Sequence, residues 1–364
     1  MYVDYVHFYV DDAKKWRNWF VNVMGFQVIA SGDDFHTLTE VVANVGNKDN
    51  SSIIFVLSSP LTTFSPVTKF LINHPCGVVD IAFLVNDLET TIKNYVNLFK
   101  PIEEKITSQG RVKWCQIQNS ANLKHTLIER HGKTSIVPEL NLTEITFIPT
   151  QKSLFNKIDH LVLNVALGEL EQTANWYETV LGFEKKQSFN IQTGQSGLYS
   201  QVMVHSESGV QIPINEPSSP NSQIQEFLDL NHGSGIQHIA LQTSQIVDLT
   251  KALKNAGLSF LNVPKNYYEQ IQKNIYFEIL ENLELDELIK QEILIDLEID
   301  NQDKIFESNP LILQIFTQPI FEKPTFFFEL IERRDHAKGF GEGNFKALFE
   351  AIEREQFKRG NLTL

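Results

Sequence analysis

Thiols are nearly absent from this chain: Cys76 and Cys115 are its only two cysteines in 364 residues. Two thiols can build neither a disulfide framework for so long a chain nor a four-thiolate zinc site, so a pair of unpaired thiols in a reducing cytoplasm is expected. Long apolar runs are missing too. The longest, such as Leu311 to Phe316, are strand-sized, well short of the ~20 residues that a membrane-spanning helix needs. The stretch from Met1 to Lys15 has no basic segment followed by an apolar one, so no signal peptide is expected. Positive charge is also scarce. Lys and Arg number 31 against 45 Asp and Glu, a formal charge of -14. Such a surface repels phosphate backbones, which argues against nucleic acid as a partner.

Phenylalanine, in contrast, is abundant, with 26 copies against 4 Trp and 9 Tyr. Most of these rings must pack in cores, and a few could line a pocket for a flat aromatic ligand. The chain is longer than one hydrophobic core usually serves, so two domains are expected. Internal similarity says how they are related. Trp19-Phe-Val-Asn-Val-Met-Gly-Phe26 returns as Trp176-Tyr-Glu-Thr-Val-Leu-Gly-Phe183, 157 residues on. Asn73-His-Pro-Cys-Gly-Val-Val-Asp-Ile-Ala-Phe83 returns as Asn231-His-Gly-Ser-Gly-Ile-Gln-His-Ile-Ala-Leu241, at an offset of 158. Val3-Asp-Tyr-Val6 matches Ile158-Asp-His-Leu161 at 155, and Leu127-Ile-Glu-Arg130 matches Leu330-Ile-Glu-Arg333 at 203. Four matches in one order imply two homologous halves, 1–150 and 151–364, with a join near 132–156. The second half carries an insertion of roughly 45 residues, expected to include the acidic stretch 267–303, for which the sequence suggests no function.

Each half shows the same rhythm. An alternating strand (Val3 to Val10; Ile158 to Val165) leads through a polar turn into an amphipathic helix ending at Gly25 or Gly182. Leu198 to His205 and Val210 to Asn215, joined by Ser206-Glu-Ser-Gly209, read as a hairpin. After Gly77 or Gly235 a further strand precedes a helix (Leu88 to Leu98; Ile246 to Ala256). The pattern predicts an α+β class in which each half holds two β-α-β-β-β units.

The repeats also locate the chemistry. His160 and His238 lie on predicted strands of the second half, and Glu329 lies inside Phe326-Phe-Phe-Glu-Leu-Ile331. Their first-half counterparts are Tyr5, Asp80 and Thr126, none of which keeps the ligand type. That is the pattern of one metal-binding half and one metal-free scaffold half. A lone histidine on an apolar strand is commonly just a core residue. A carboxylate in so apolar a run needs a cation or a dense set of donors, because burying it alone costs several kcal/mol. Arg333 or Arg334 could pair with Glu329, but the first half keeps Arg130 while Thr126 replaces the acid. Two neutral imidazoles and one carboxylate leave open positions for a chelating substrate and O2 on Fe(II). The same set could hold zinc.

The pattern Ile158-Asp-His-Leu-Val, Trp176 to Phe183, Pro213-Ile-Asn-Glu-Pro217, Ser222-Gln-Ile-Gln-Glu-Phe, Gly235-Ile-Gln-His-Ile-Ala, Leu313-Gln-Ile-Phe-Thr and Gly339 to Ile352 resembles the 4-hydroxyphenylpyruvate dioxygenase family. The resemblance spans nearly the whole chain and is most specific in 158–364. It implies tandem vicinal-oxygen-chelate domains, like those of glyoxalase and extradiol dioxygenases, whose paired units form open barrels. It also implies one Fe(II) per chain on His160, His238 and Glu329, and conversion of 4-hydroxyphenylpyruvate and O2 to homogentisate and CO2 in tyrosine catabolism. A cytoplasmic homodimer or homotetramer is expected.

Ser200, Asn215, Gln223 and Gln314 match the family's polar substrate contacts, and Phe316 and Phe345 its enclosing aromatics. Gln314 and Phe316 share a strand face. Gln237 and Phe340 match residues near the site, although alternation points Gln237 away from His238. Gly339, Gly341 and Gly343 form a hinge before a lid helix, with Asn344 as its N-cap and Phe345, Leu348, Phe349 and Ile352 on its apolar face. 4-Hydroxymandelate synthase, which uses the same substrate and triad, stays open as an alternative. So does a metal-free binding protein on the same barrel, and a zinc hydrolase has no obvious general base.

Overall fold

Val6 and Phe8 point to one side of the first strand, Tyr5 and His7 to the other, and all four are buried. A strand with both faces covered belongs at the centre of a curled sheet, and that is where the computed structural model places it. The structure describes residues 1–44, 52–145, 153–192, 196–272, 285–297 and 310–360. The first half runs β1 (Tyr2–Tyr9), α1 (Ala13–Asn22), β2 (Gln27–Asp33), β3 (Thr37–Asn44), β4 (Ile53–Pro60), α2 (Pro66–Asn73), β5 (Gly77–Leu84), α3 (Leu88–Ile92), β6 (Glu103–Ile106), β7 (Gly110–Gln118), β8 (Lys124–Gly132) and a short β9 (Thr143–Glu144). The second runs β10 (Lys157–Asn164), α4 (Leu170–Leu181), β11 (Glu184–Gln192), β12 (Gly197–Val204), β13 (Gln211–Pro217), α5 (Gln223–Asn231), β14 (Gly235–Gln242), α6 (Ile246–Asn255), α7 (Lys265–Gln272), α8 (Leu285–Gln291), β15 (Leu294–Leu297), β16 (Leu311–Phe316), β17 (Phe327–Arg334) and α9 (Glu342–Arg359).

Each half therefore holds two β-α-β-β-β units. The strand orders are β6-β7-β8-β5-β1-β4-β3-β2-β9 and β11-β12-β13-β10-β14-β17-β16-β15. In each sheet the two units meet at an antiparallel seam, β1 with β5 and β10 with β14. The first strand of each unit pairs in parallel with its last, as β14 does with β17. The curled interior of the second sheet receives His160 and Val162, while Leu161 and Leu163 face outward.

The outward faces and their helices make one core shared by both halves. Phe20 of α1 lies against Phe328 of β17, with ring centroids 6.0 Å apart, and Tyr177 of α4 lies against His125 of β8 at 5.5 Å. Phe8 meets Phe326 edge-on at 5.2 Å. Much of the phenylalanine excess thus seals the two barrels together, where aromatic area and edge-to-face contact add to simple burial.

Two expectations need correction. The helix foreseen over Leu88 to Leu98 stops at Ile92 and resumes only as a 3₁₀ turn at Val96–Leu98. The β-branched run Thr90-Thr91-Ile92 carries little helix propensity beyond what the Asp87 cap supplies. The insertion is not one block either. Leu294 pairs with Gln314 as Glu103 pairs with Trp114, so β15 is the counterpart of β6, and extra residues fall on both sides of it. Of the acidic stretch 267–303, residues 273–284 and 298–303 lie outside the described residues. No described helix is long and apolar enough to cross a membrane.

Candidate metal centre and its cavity

Three adjacent strands carry the candidate ligands: His160 on β10, His238 on β14 and Glu329 on β17. Ala240 pairs with His160 on one side and with Glu329 on the other. His160, Ala240 and Glu329 thus lie in one row, with His238 two residues back along β14, and the small methyl between them lets imidazole and carboxylate approach. His160 Nε2 lies 3.3 Å from Glu329 Oε2, and His238 Nε2 lies 3.6 Å from the same oxygen. Ligands about 2.1 Å from a common ion at right angles would stand about 3 Å apart. The set thus fits one small dication, and all three residues are buried.

Partners behind the ligands fix their orientation. His160 Nδ1 donates to Asp159 Oδ1 at 2.9 Å, and Arg333 holds the same carboxylate from Nε at 2.8 Å and from Nη2 at 2.7 Å. Arg333 also donates to the Gly339 carbonyl at 2.6 Å. Neither arginine near Glu329 pairs with it: Arg333 belongs to Asp159 and Arg334 to Glu332. His238 Nδ1 lies 3.2 Å from Gln237 Oε1. Each Nδ1–H is thereby committed to its partner, which leaves both Nε2 atoms facing the Glu329 carboxylate, the nitrogens through which the two histidines would ligate a metal.

Gln237 was expected to point away from His238, and it does not. Val162 pairs with His238 and Leu163 with Ile236, so Gln237 is the extra residue of a β-bulge. A bulge breaks the two-residue alternation and re-aims the side chain. A second bulge, between Ile158 and His160, sets Asp159 beside His160.

Without a metal the three groups form a charged cluster. Burial alone would lower the His160 pKa, but the Glu329 charge and the Asp159 hydrogen bond outweigh it and raise it to about 9. Burial would raise Glu329, yet the His160 charge and the donors from both imidazoles hold it near 2. Burial pushes His238 down. One shared proton thus does part of what a dication would do at a buried carboxylate.

The triad opens into a cavity lined by every site residue foreseen from the sequence: Ser200, Asn215, Gln223, Gln237, Gln314, Phe316, Phe340, Asn344 and Phe345 beside the ligands. Ser222 caps α5 by accepting from the Ile224 N–H at 3.2 Å, which sets Gln223 at the helix's first position against the cavity. Gln223 Oε1 is buried and has no hydrogen-bond partner among the described residues. Asn215 donates to Asn164 Oδ1 at 3.3 Å. The Gln314 amide is committed to the protein: Nε2 donates to Glu329 Oε1 at 2.9 Å and to the Phe340 carbonyl at 3.0 Å, and Oε1 accepts from Asn344 at 2.8 Å. Helix α9 lays Phe345, Leu348, Phe349 and Ile352 along the cavity.

Asn344 is not the N-cap. The helix begins at Glu342, Gly341 stands at the cap position with φ of 74°, and Asn344 points inward. Phe189 was not foreseen. It sits on β11 with its ring 5.2 Å from Phe345 and 6.5 Å from Phe340. A lone Phe in a polar edge strand gives no sequence signal. The Asp159–Arg333 clamp was also missed, although Asp4 and Arg130 repeat the pair and could have revealed it.

A family model described as Glyoxalase/Bleomycin resistance protein/Dioxygenase superfamily matches residues 157–275. The 4-hydroxyphenylpyruvate dioxygenase of Dictyostelium discoideum is 36% identical over 382 residues, covering 99% of each chain. That of Caenorhabditis briggsae is 34% identical over 375 residues, covering 99% of this chain and 93% of its own. The chain belongs to the 4-hydroxyphenylpyruvate dioxygenase family. Among solved structures, a variant of 4-hydroxymandelate synthase from Streptomyces coelicolor matches with a TM-score of 0.81 at 24% identity over 98% of both chains, which shows the shared fold. Membership in the dioxygenase family makes the tandem glyoxalase-type barrels expected, and the curled sheets here are of that kind.

Proposed function

We propose that the chain converts 4-hydroxyphenylpyruvate and O2 to homogentisate and CO2, using one Fe(II) held by His160 Nε2, His238 Nε2 and Glu329. The observation that carries this reading is a buried His-His-Glu set at the base of a phenylalanine-lined cavity containing an unpartnered Gln223 carbonyl oxygen. Fe(II), when bound, would supply open coordination positions for a 2-oxo acid and O2, and the electrons for oxygen activation. The protein supplies position and dryness. Asp159 and Gln237 hold the two imidazoles in the ligating tautomer. Gln223 Oε1 accepts the phenol O–H, which removes an otherwise costly buried acceptor. Ser200 and Asn215 give further polar contacts, and Phe316 and Phe345 bracket the ring. Helix α9 acts as a lid that keeps water from the reacting ring.

In this reading residues 151–364 form the catalytic domain and residues 1–150 a scaffold that binds no metal. Unpaired Cys76 and Cys115 suit a reducing compartment, which supports a cytoplasmic enzyme. Anaerobic loading with Fe(II), addition of 4-hydroxyphenylpyruvate and O2, and chromatography of the aromatic product test the assignment. Homogentisate is expected. 4-Hydroxymandelate would keep the iron site and overturn the ring-hydroxylating role given to the pocket. Folded, iron-loaded protein without turnover would sink the substrate assignment.

A further inference from the structure

We propose that α7 and β15 together form a latch for α9, with Tyr267 of the insertion as a positioning residue acting through Asn344 and Gln314 on Glu329. The inference rests on the reading of α9 as a lid over the metal cavity.

Helix α9 has no side-chain cap of its own. An uncapped helix start leaves several backbone N–H groups without partners, and a carboxylate is favourable there. Asp296, on β15, accepts from the Gly343 N–H at 3.0 Å. Tyr267, on α7, provides the second anchor. Its hydroxyl lies 2.6 Å from Asn344 Oδ1 and 2.9 Å from the Ile295 carbonyl, and its oxygen accepts from the Ile295 N–H at 2.7 Å. One hydroxyl thus ties α7, β15 and the first turn of α9 together. Asn344, held from one side by Tyr267, donates on the other to Gln314 Oε1, and Gln314 donates to Glu329. A continuous chain of side-chain hydrogen bonds runs from the insertion to a proposed metal ligand.

The seat is closely fitted. A Cβ on Gly341 would overlap the Gln314 amide, and one on Gly343 would overlap the Asp296 carboxylate. Gly341 must also adopt a positive φ, so glycine is required twice over at that position. In the first half Trp114 stands opposite Glu103 as Gln314 stands opposite Leu294, and an indole cannot relay the same hydrogen bonds. The latch therefore belongs to the half that has the cavity.

Removing the Tyr267 hydroxyl leaves Asn344 without its donor and lowers the population of the closed lid. Substrate must then close the lid from its own binding energy, so the apparent KM rises more than kcat falls. The test is hydrogen exchange on the metal-free protein, comparing Tyr267→Phe with Tyr268→Phe. The Tyr268 hydroxyl donates to the Ile293 carbonyl at 3.1 Å, so this variant removes a neighbouring phenol that serves the insertion alone. Amides from Gly343 to Phe349 should exchange about fivefold to tenfold faster in Tyr267→Phe than in wild type, and at the wild-type rate in Tyr268→Phe. With Fe(II) and 4-hydroxyphenylpyruvate, KM of Tyr267→Phe should rise by a similar factor. Equal exchange in the two variants, or a loss confined to kcat, overturns the latch. If no variant nor wild type turns over 4-hydroxyphenylpyruvate, the substrate assignment fails, and the exchange comparison still decides the latch.

Discussion

Where β10 carries His160, β1 carries Tyr5; where β14 carries His238, β5 carries Asp80; and Thr126 of β8 stands for Glu329 of β17. The surrounding frame is the same in both halves. Asp4 pairs with Arg130 as Asp159 pairs with Arg333. Glu129 accepts from the Leu88 N–H and Glu332 from the Ile246 N–H, each at 2.8 Å, capping corresponding helices. The bulge at Gln237 recurs at Val79 of β5, opposite His7 and Phe8. Yet the first-half trio satisfies itself. Thr126 donates to Asp80 from its backbone N–H at 3.0 Å and from its hydroxyl at 2.5 Å, and Tyr5 donates to Glu139 at 3.1 Å. After β8 the chain turns inward and buries Val137 among Tyr5, Val41 and Trp114. After β17 it instead sets Phe340 beside His160 and continues as α9 over a cavity. The arginine clamp and the helix caps are thus what the barrel needs to fold. The three candidate ligand positions and the segment after the last strand are what distinguish a plugged barrel from one with a cavity.

The sharpest way to break this contrast is to write the first half's residue into the second. Glu329→Thr should abolish stoichiometric Fe(II) binding and lower homogentisate formation to below about a thousandth of wild type. Metal analysis after anaerobic reconstitution, alongside turnover, checks it, and retained iron would mean that Glu329 is no ligand. The clamp offers a milder test. Asp159→Asn weakens the partner behind His160 and should cost about 10–100-fold in metal affinity. Asp4→Asn cuts the equivalent clamp in the first half, where no proposed ligand lies in front of it. Its effect should appear in thermal stability, with metal affinity unchanged. Equal losses of affinity from the two variants would show that the clamp acts only on the fold.

The frame was legible in the sequence because it repeats. The matched segments around Trp19 and Trp176, and around Asp80 and His238, expose two halves of β-α-β-β-β units, and the failure of Tyr5, Asp80 and Thr126 to keep ligand chemistry points to the other half as the candidate metal-binding one. The triad could be read because it interrupts strongly apolar strands. Gln237 was misjudged since bulges leave no mark in a two-residue alternation. Asn344 was misjudged because the cap lies outside the helix's own sequence, on Asp296 some 47 residues earlier. Phe189 and Tyr267 reach the site only through tertiary packing.

The plugged barrel should also reveal itself through pH. Burial raises the Asp80 pKa to about 7. Between the ordinary carboxylate range and about 7 the folded chain keeps a proton that the unfolded chain has released. The stability this group confers is therefore complete at low pH and declines as pH rises through about 7. Asp80→Asn keeps an acceptor for the Thr126 N–H and adds a donor for its hydroxyl, without a charge to desolvate. At pH 8 it should be more stable than wild type by roughly 1–3 kcal/mol, with the gap closing towards pH 4. Urea unfolding of the metal-free protein across that range measures it. A gap that does not narrow on acidification would show that Asp80 is ionised in the fold.

The smallest expected effect probes the seam where the halves meet. Phe20 faces Phe328 there, and in the mirrored position Tyr177 faces His125. His125 Nδ1 donates to the Ile81 carbonyl at 3.2 Å, so Nε2 carries a lone pair, which accepts from the Tyr177 hydroxyl at 2.9 Å. Asn119 donates to the same hydroxyl at 3.3 Å. Burial pushes the His125 pKa down to about 4, so the ring is neutral at physiological pH. Tyr177→Phe would strand two buried polar groups and should cost about 1–2 kcal/mol. Adding His125→Phe removes one of the two stranded groups and puts two apolar rings against each other, as Phe20 and Phe328 already are, and should recover about half of that loss. A double variant no more stable than Tyr177→Phe would mean that the polar pair is required by its setting. The two mirrored contacts would then not be interchangeable solutions to one packing problem.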